Sequence, residues 1–473
     1  MALSTDVLVI GAGPGGYVGA IKLGKLGKKT FLVEKDKLGG ECLNYGCIPS
    51  KALIHAADEY YQPKAAQAHG MNAAGLGIDW AKVQVWKNNV IGGFVRGIAS
   101  LEKGNKVDVL AGAARLTGPN SAVIVKADGE ETVQFAHALI STGTRPAEIP
   151  GFSFDGESVL SSKEALELPA APERLAVIGG GVIGLEIGTF FAKLGTKVTV
   201  VEFMDQVLPG VPSELVSPVL RSLQKLGVEI LTKSQALGYE RTDGGLSVRV
   251  KTAEGEKTIA ADKILLSVGR VPITKDLGLD AAGVETDAKG HIKVNARYQT
   301  NVPHIYAAGD VIGAPYLAHK ASQEAIVAAL AIAGFETHGI GAVPWTIFTD
   351  PEIAFVGETE EQIRARGREP IVGRFPFAAS GRAQAVAKPE GFYKVVADKE
   401  TREVLGVAIV GGSASDLIGE GCLAVKLKAT VEDIAEAIHP HPTLCESIVD
   451  AAEACVGQAV HILPPVVREP VKR

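Results

Sequence analysis

Apolar residues in this chain come in short unbroken runs closed by glycines, and such runs predict buried strands. "DVLVI", from Asp6 to Ile10, leads into a glycine turn. Apolar positions then recur at helical spacing from about Gly15 to Leu26, and "TFLVE" predicts a second strand ending at Glu34. The same strand, helix, strand succession returns in "RLAVIGGGVIGLEIGTFFAKLGTKVTVVE", which ends at Glu202. From Val107 to Ile140, short strand-like runs with turn signals predict a small antiparallel insertion that ends in the linker "ISTGTRPAEIPG". A similar stretch from Val228 to Val268 ends in "LLSVGRVPIT", so the two halves read as repeats of one plan. "TNVPHIYAAGDVIG" predicts a strand running into a turn at Gly309 and Asp310, with the apolar helix "LAHKASQEAIVAALAIAG" behind it. From Trp345 onward, runs such as "EIAFVG", "YKVVAD" and "EVLGVAIVG" predict a mixed α+β domain. The expected fold class is α/β: two nested dinucleotide-binding (Rossmann-like) domains plus a C-terminal α+β domain, divided as 1–146, 147–272, 273–344 and 345–473.

The glycines in the two turns have separable roles. Gly11 allows the tight turn, Gly13 lets the backbone approach a pyrophosphate, and Gly16 lets helix and strand pack closely; Gly179, Gly181 and Gly184 repeat the spacing. The helix N-terminus behind each turn offers unpaired N–H groups and a positive dipole end to the phosphates. Glu34 and Glu202 stand about 20 residues on, where an acid accepts hydrogen bonds from a ribose. Glu202 would repel a 2'-phosphate, so NAD is favoured over NADP at the second turn.

Charge and cysteine content narrow the setting. A net charge of −6 and a pI near 6.0 leave no basic excess for nucleic acid or an anionic membrane. No apolar run reaches the roughly 18–20 residues that span a bilayer, and the N-terminus enters a strand without a cleavable leader, which reads as cytoplasmic. Five cysteines in 473 residues are no secreted disulfide framework. The close pair Cys42 and Cys47 in "GGECLNYGCIPSK" is therefore catalytic or metal-binding; zinc would need two further ligands that the neighbourhood lacks, and no metal is expected. "HPHPTLCESI" offers His439, His441 and Glu446, and a histidine can take and return a thiol proton near neutral pH.

"GGECLNYGCIPSK", the two glycine turns, "ISTGTRP", "IYAAGD", "TDPEIAFVG" and "HPTLCE" stand in the order found in the pyridine nucleotide-disulfide oxidoreductases, which the chain resembles over nearly its whole length. The resemblance implies FAD on the first turn, with Gly309 and Asp310 at its ribityl and pyrophosphate region, and NAD on the second; it carries Thr142, Gly143 and Gly269 over as cofactor positions. It implies that Cys42 exchanges with a substrate disulfide or dithiol, that Cys47 contacts the flavin, that Lys51 and Glu186 pair beside it, and that His441, oriented by Glu446, is the base. It also implies a homodimer joined by the C-terminal domain, and lipoyl domains of 2-oxo acid dehydrogenase complexes as partners, with the lipoyl protein of glycine cleavage a further one. A related NAD(P)H-dependent disulfide or metal-ion reductase is the alternative.

Two departures bear on reactivity. Glu41 replaces the usual Thr, Val or Ser before the first cysteine, and a carboxylate pointing inward there would raise the Cys42 thiol pKa; Tyr45 stands where relatives often have Val. Cys422, Cys445 and Cys455 read as incidental or buried thiols and His439 as a bystander. If Cys42 and Cys47 are bonded, a regular helix cannot join them: five residues rise about 7.5 Å, beyond the roughly 6.8 Å limit for a disulfide. Gly46 is the expected point of distortion, with regular helix established near Pro49.

Overall fold

A computed structural model of the chain describes residues 3–463, which fall into two compact units. The first comprises the chain up to Asp205 together with Ile230–Ile340; the second comprises Gln206–Glu229 and the chain from Gly341 onward.

The first unit is organised by a sheet in the order Val107–Ala111, Thr30–Glu34, Leu3–Ile10, Gly129–Ile140, Ser121–Lys126, Ala113–Gly118. Its first four strands are parallel, and the central runs Val7–Ile10 and Thr30–Val33 are continuously buried, as strands covered on both faces must be. The twelve-residue strand Gly129–Ile140 pairs parallel with Leu3–Ile10 along one edge and serves two partners along the other: its first half pairs antiparallel with Ser121–Lys126, and residues 138–140 pair parallel with Ile305–Ala307. The expected antiparallel insertion is thus confined to 113–134, and Val107–Ala111 belongs to the parallel sheet instead. A second sheet carries the parallel strands Lys197–Val201, Arg174–Ile178, Lys263–Leu266 and Val159–Leu160 in that order, beside the antiparallel strands Gln235–Thr242, Gly245–Thr252 and Gly255–Ala261. Thr144–Pro146 and Arg270–Pro272 pair antiparallel, so the two ends of segment 147–272 lie side by side.

Helix Trp80–Gly104 carries no strong sequence signal, because only Lys87, Ile98 and Glu102 on it are buried. Lys87 is satisfied by the Leu166 carbonyl at 3.0 Å. Glu102 is 0% exposed, neither carboxylate oxygen has a hydrogen-bond partner among the described residues, and burial pushes its carboxyl up to about 7 from 4.5. The folded state therefore keeps a proton that the unfolded chain releases, and stability falls as pH rises between about 4.5 and 7. Glu102→Leu is expected to raise the thermal midpoint by a few degrees at pH 8 and hardly at all at pH 5; equal gains at both pH values would remove the carboxyl as the cause.

The second unit is an antiparallel sheet in the order Trp345–Ile347, Glu352–Gly357, Val404–Gly411, Phe392–Asp398, Pro370–Pro376. All seven residues of Phe392–Asp398 are buried, which requires cover on both faces. Helix Ala414–Leu427 comes so close that a Cβ on Gly421 would lie 2.9 Å from Val407. Helix Ser213–Lys225 buries Leu215, Val216, Val219 and Leu223, and Glu214 accepts a hydrogen bond from Lys394 at 2.5 Å. Residues 206–229 therefore group with the C-terminal unit, although their sequence position places them in segment 147–272. No helix among the described residues is long and apolar enough to cross a membrane.

Candidate functional site

The two glycine turns are built alike, position by position. Gly11 (φ +94°) and Gly179 (φ +102°) take a left-handed conformation, and a Cβ on either would lie 2.5 Å from a carbonyl oxygen, that of Ser141 or Ser267. A Cβ on Gly16 would meet the Gly11 oxygen at 1.7 Å, and one on Gly184 the Gly179 oxygen at 2.2 Å, so helix and turn touch backbone to backbone. Gly13 and Gly181 face open space and begin helices Pro14–Lys25 and Val182–Lys193 with no side-chain cap. Their first-turn N–H groups are thus left for a ligand. Glu34 accepts from Ala12 N–H (2.7 Å) and Asp36 N–H (2.9 Å); Glu202 accepts from Gly180 N–H and Met204 N–H, both at 2.7 Å. Each acid braces its own turn while keeping lone pairs for a ribose. These open, uncapped cradles fit FAD and NAD.

Cys42 and Cys47 are joined as a disulfide with Cα atoms 4.7 Å apart. Helix Gly40–Tyr45 stops at Gly46 (φ −133°, ψ −102°), and helix Cys47–Ala65 begins at once. The break lies where expected, but regular helix starts two residues before Pro49, which sits in the first turn, where its missing N–H is harmless. Gly39 N–H donates to the Ala12 carbonyl at 2.9 Å, and a Cβ on Gly40 would lie 2.5 Å from Gly13 Cα. The disulfide segment is therefore seated on the first phosphate-type turn. Asn44, which carries no signal in the sequence, ties the segment down by donating to Leu38 (3.0 Å) and Gly40 (2.9 Å) carbonyls. Tyr45 donates to Asp36 at 2.8 Å, with the Lys37 and Lys163 ammonium groups over its ring.

Lys51, one turn beyond Cys47, pairs with Glu186 at 2.7 Å. Asp58 and Lys193 pair about two turns further along both helices, so the helix after the disulfide and the helix after the second glycine turn run in the same direction. Gly309 donates its N–H to Glu324 at 2.8 Å, and Glu324 is paired with Lys320, also at 2.8 Å; both charged residues are buried, and neither stands out in the sequence. Asp310, its carboxyl pushed up by burial, accepts from the Thr144 hydroxyl at 2.9 Å. Thr142 donates to the Ile273 carbonyl at 2.7 Å, while Gly143 (φ +70°) and Gly269 (φ +134°) flank the paired strands. The Glu41 carboxylate is held by the Arg270 guanidinium, so its charge is compensated.

The second unit holds the remaining candidates. His441 Nδ1 lies 3.0 Å from Glu446 Oε2, and Glu446 Oε1 accepts from Thr443 N–H at 3.1 Å. A carboxylate on Nδ1 favours the tautomer with its proton there, leaving Nε2 as the basic nitrogen. The His441 side chain is 79% exposed. His439 Nδ1 lies 2.8 Å from the Ala437 carbonyl and its Nε2 2.8 Å from the Glu420 carboxylate, contacts that anchor the loop carrying His441. Burial raises the thiols of Cys422 and Cys455, the latter to about 12, which makes them poor nucleophiles. Cys445 lies 3.1 Å from the Thr443 hydroxyl.

Residues 5–325 match the family model of pyridine nucleotide-disulphide oxidoreductases, and residues 343–452 match the dimerisation domain of the same family. The chain is 46% identical over 472 residues to the dihydrolipoyl dehydrogenase of Haloferax volcanii, with 98% of each chain covered. It is 46% identical over 464 residues to that of Bacillus subtilis, again with 98% of each covered. The mitochondrial dihydrolipoyl dehydrogenase of Pisum sativum is 42% identical, with 97% of this chain and 92% of that protein covered. Among solved structures, LpdA from Mycobacterium tuberculosis superposes with a TM-score of 0.89 at 28% identity, covering 95% of this chain and 99% of LpdA. The HOCl-induced flavoprotein disulfide reductase RclA from Escherichia coli, as its Cu(II) complex, has a TM-score of 0.85 at 25% identity, with the same coverage of each chain.

Proposed function

The chain belongs to the pyridine nucleotide-disulphide oxidoreductases, and on that footing we propose that it oxidises dihydrolipoyl groups to lipoyl groups, its electrons passing through Cys42–Cys47 and FAD to NAD. The observation that carries the reading is the seat of the disulfide: Gly39 and Gly40 lay it on the turn that receives the first dinucleotide. The Gly11–Gly16 turn with Glu34 would hold FAD and the Gly179–Gly184 turn with Glu202 would hold NAD; the flavin would supply two-electron exchange between the dithiol and the hydride-accepting nicotinamide.

The chain's own residues do the thiol chemistry. His441 of the partner subunit takes the proton from one dihydrolipoyl thiol at Nε2, while Glu446 of the partner subunit holds Nδ1 and favours the imidazolium that forms. The thiolate attacks Cys42 Sγ, the Cys42–Cys47 bond breaks, and Cys47 leaves as a thiolate. The second substrate thiol then displaces Cys42, closing the lipoyl disulfide and leaving both cysteines reduced by two electrons. Cys47 is the first residue of helix Cys47–Ala65, so free N–H groups and the dipole stabilise its thiolate, and Lys51 adds a cation one turn on. Lipoyl domains of 2-oxo acid dehydrogenase complexes, and the lipoyl protein of glycine cleavage, present such a substrate. A reducing cytoplasm, in which Cys422, Cys445 and Cys455 stay as thiols, is the matching compartment.

The direct test supplies free dihydrolipoamide with NAD or NADP. NADH formation is expected, with NAD preferred by at least about a hundredfold in kcat/KM, since Glu202 opposes a 2'-phosphate. Glu202→Gln, which removes the charge, is expected to narrow the preference roughly tenfold. Failure to oxidise dihydrolipoamide would overturn the proposed reaction; equal use of both coenzymes by the unaltered protein would overturn the role of Glu202.

A further inference from the structure

Glu41 directly precedes Cys42, and its carboxylate is gripped by Arg270, whose side chain is only 14% exposed. The same guanidinium donates from Nε to the Thr144 hydroxyl at 2.7 Å and from an Nη to the Thr144 carbonyl at 2.9 Å. A guanidinium can only donate, so the Thr144 hydroxyl must direct its single proton to Asp310, 2.9 Å away. Polarity along the chain of bonds is therefore set throughout: Arg270 donates to Glu41 and to Thr144, and Thr144 donates to Asp310. Four residues from four parts of the sequence link the disulfide segment to the floor of the 309–310 turn, and the segment itself is pressed on the Ala12–Gly13 turn.

A carboxylate adjacent to a disulfide opposes formation of thiolates, and a guanidinium at the same place favours it. Held together, the two charges largely cancel at a distance; either one alone acts as a full charge. We propose that Glu41 and Arg270 are positioning residues that form a charge-balanced lock on the redox-active pair, setting how readily Cys42–Cys47 is reduced. The lock rests on the proposed function only in taking Cys42–Cys47 as a reversible redox pair, and does not depend on which dithiol is the substrate.

Equilibration of the FAD-loaded protein in thiol–disulfide buffers of graded poise, followed by alkylation and mass analysis of Cys42 and Cys47, tests it without using turnover. Glu41→Gln leaves the Arg270 cation uncompensated, so reduction should become easier by about tenfold in the equilibrium constant, equivalent to about 30 mV for two electrons. Arg270→Met leaves the carboxylate alone and should shift the equilibrium by a similar factor in the opposite sense. The double variant Glu41→Gln, Arg270→Met should return close to the unaltered protein, because neutrality is restored. Loss of a merely structural contact would move all three variants in one direction, and that result, or an unchanged equilibrium in Glu41→Gln, overturns the lock. If Arg270→Met does not fold, the sign of the Glu41→Gln shift alone decides. An unaltered protein whose pair cannot be reduced in any such buffer would instead sink the proposed function.

Discussion

Co-expression of Cys42→Ser and His441→Ala subunits is expected to restore activity that neither variant has alone. As homodimers, the first lacks the sulfur proposed to be attacked by substrate, and the second lacks the proposed base, a loss of about 100- to 10,000-fold. Cys42 lies in the first unit and His441 in the second. The His441 ring is held by Glu446 yet left 79% exposed, as a group would be that completes another subunit's site. Residues 343–452 match a dimerisation domain, which supplies the second subunit. In a mixed dimer one site has lost both groups and the other is whole. With random assembly about half the dimers are mixed, so activity should recover to roughly a quarter of the unaltered level. Mixed dimers verified by mass that show no recovery would place the base in the same subunit as the disulfide it serves.

Cys47→Ser should abolish turnover, by roughly a thousandfold or more, while the protein keeps FAD. The Gly11–Gly16 turn and Glu34, proposed to cradle the cofactor, make bonds and close contacts that do not involve the Cys47 sulfur. On anaerobic two-electron reduction the unaltered protein should develop a long-wavelength absorbance from the Cys47 thiolate beside the flavin, and the variant should not. Cys42→Ser should show that absorbance without added reductant, because its Cys47 is already a free thiol at a helix start with Lys51 one turn beyond it, and should lose it when two electrons reduce the flavin. A band that survives in Cys47→Ser would exchange the roles of the two sulfurs.

The parts of this site that can be read from sequence are those where chemistry restricts local backbone. Gly11, Gly16, Gly179 and Gly184 permit no Cβ, so their spacing is imprinted on the chain, and the short loop between Cys42 and Cys47 demands a break that Gly46 supplies. What escapes is tertiary. Glu41 meets Arg270, Thr144 meets Asp310 and Glu324 supports Gly309 only after strands far apart in sequence have paired, and no periodicity marks such partners. Val107–Ala111 resembles the start of an antiparallel insertion because a five-residue strand carries no record of its neighbour's direction. Helix Trp80–Gly104 is silent because it buries so few side chains. His439 has the sequence context of a lone histidine, yet its two hydrogen bonds anchor the loop beside His441, a role visible only when Glu420 arrives from another helix.

The acids of the two turns also constrain how this scaffold can evolve. Glu202 gathers two backbone N–H groups in a buried position, so it is part of the turn's skeleton as well as of the proposed coenzyme selectivity. A lineage that drifted toward a phosphorylated coenzyme by replacing Glu202 would strand those donors, a loss of about 1–3 kcal/mol for each one left unsatisfied. The accessible path runs through a compensating change that first re-supports Gly180 and Met204, and only then through the change of charge. A change of coenzyme preference at Glu202 therefore carries a stability cost set by the same bonds that give the turn its shape.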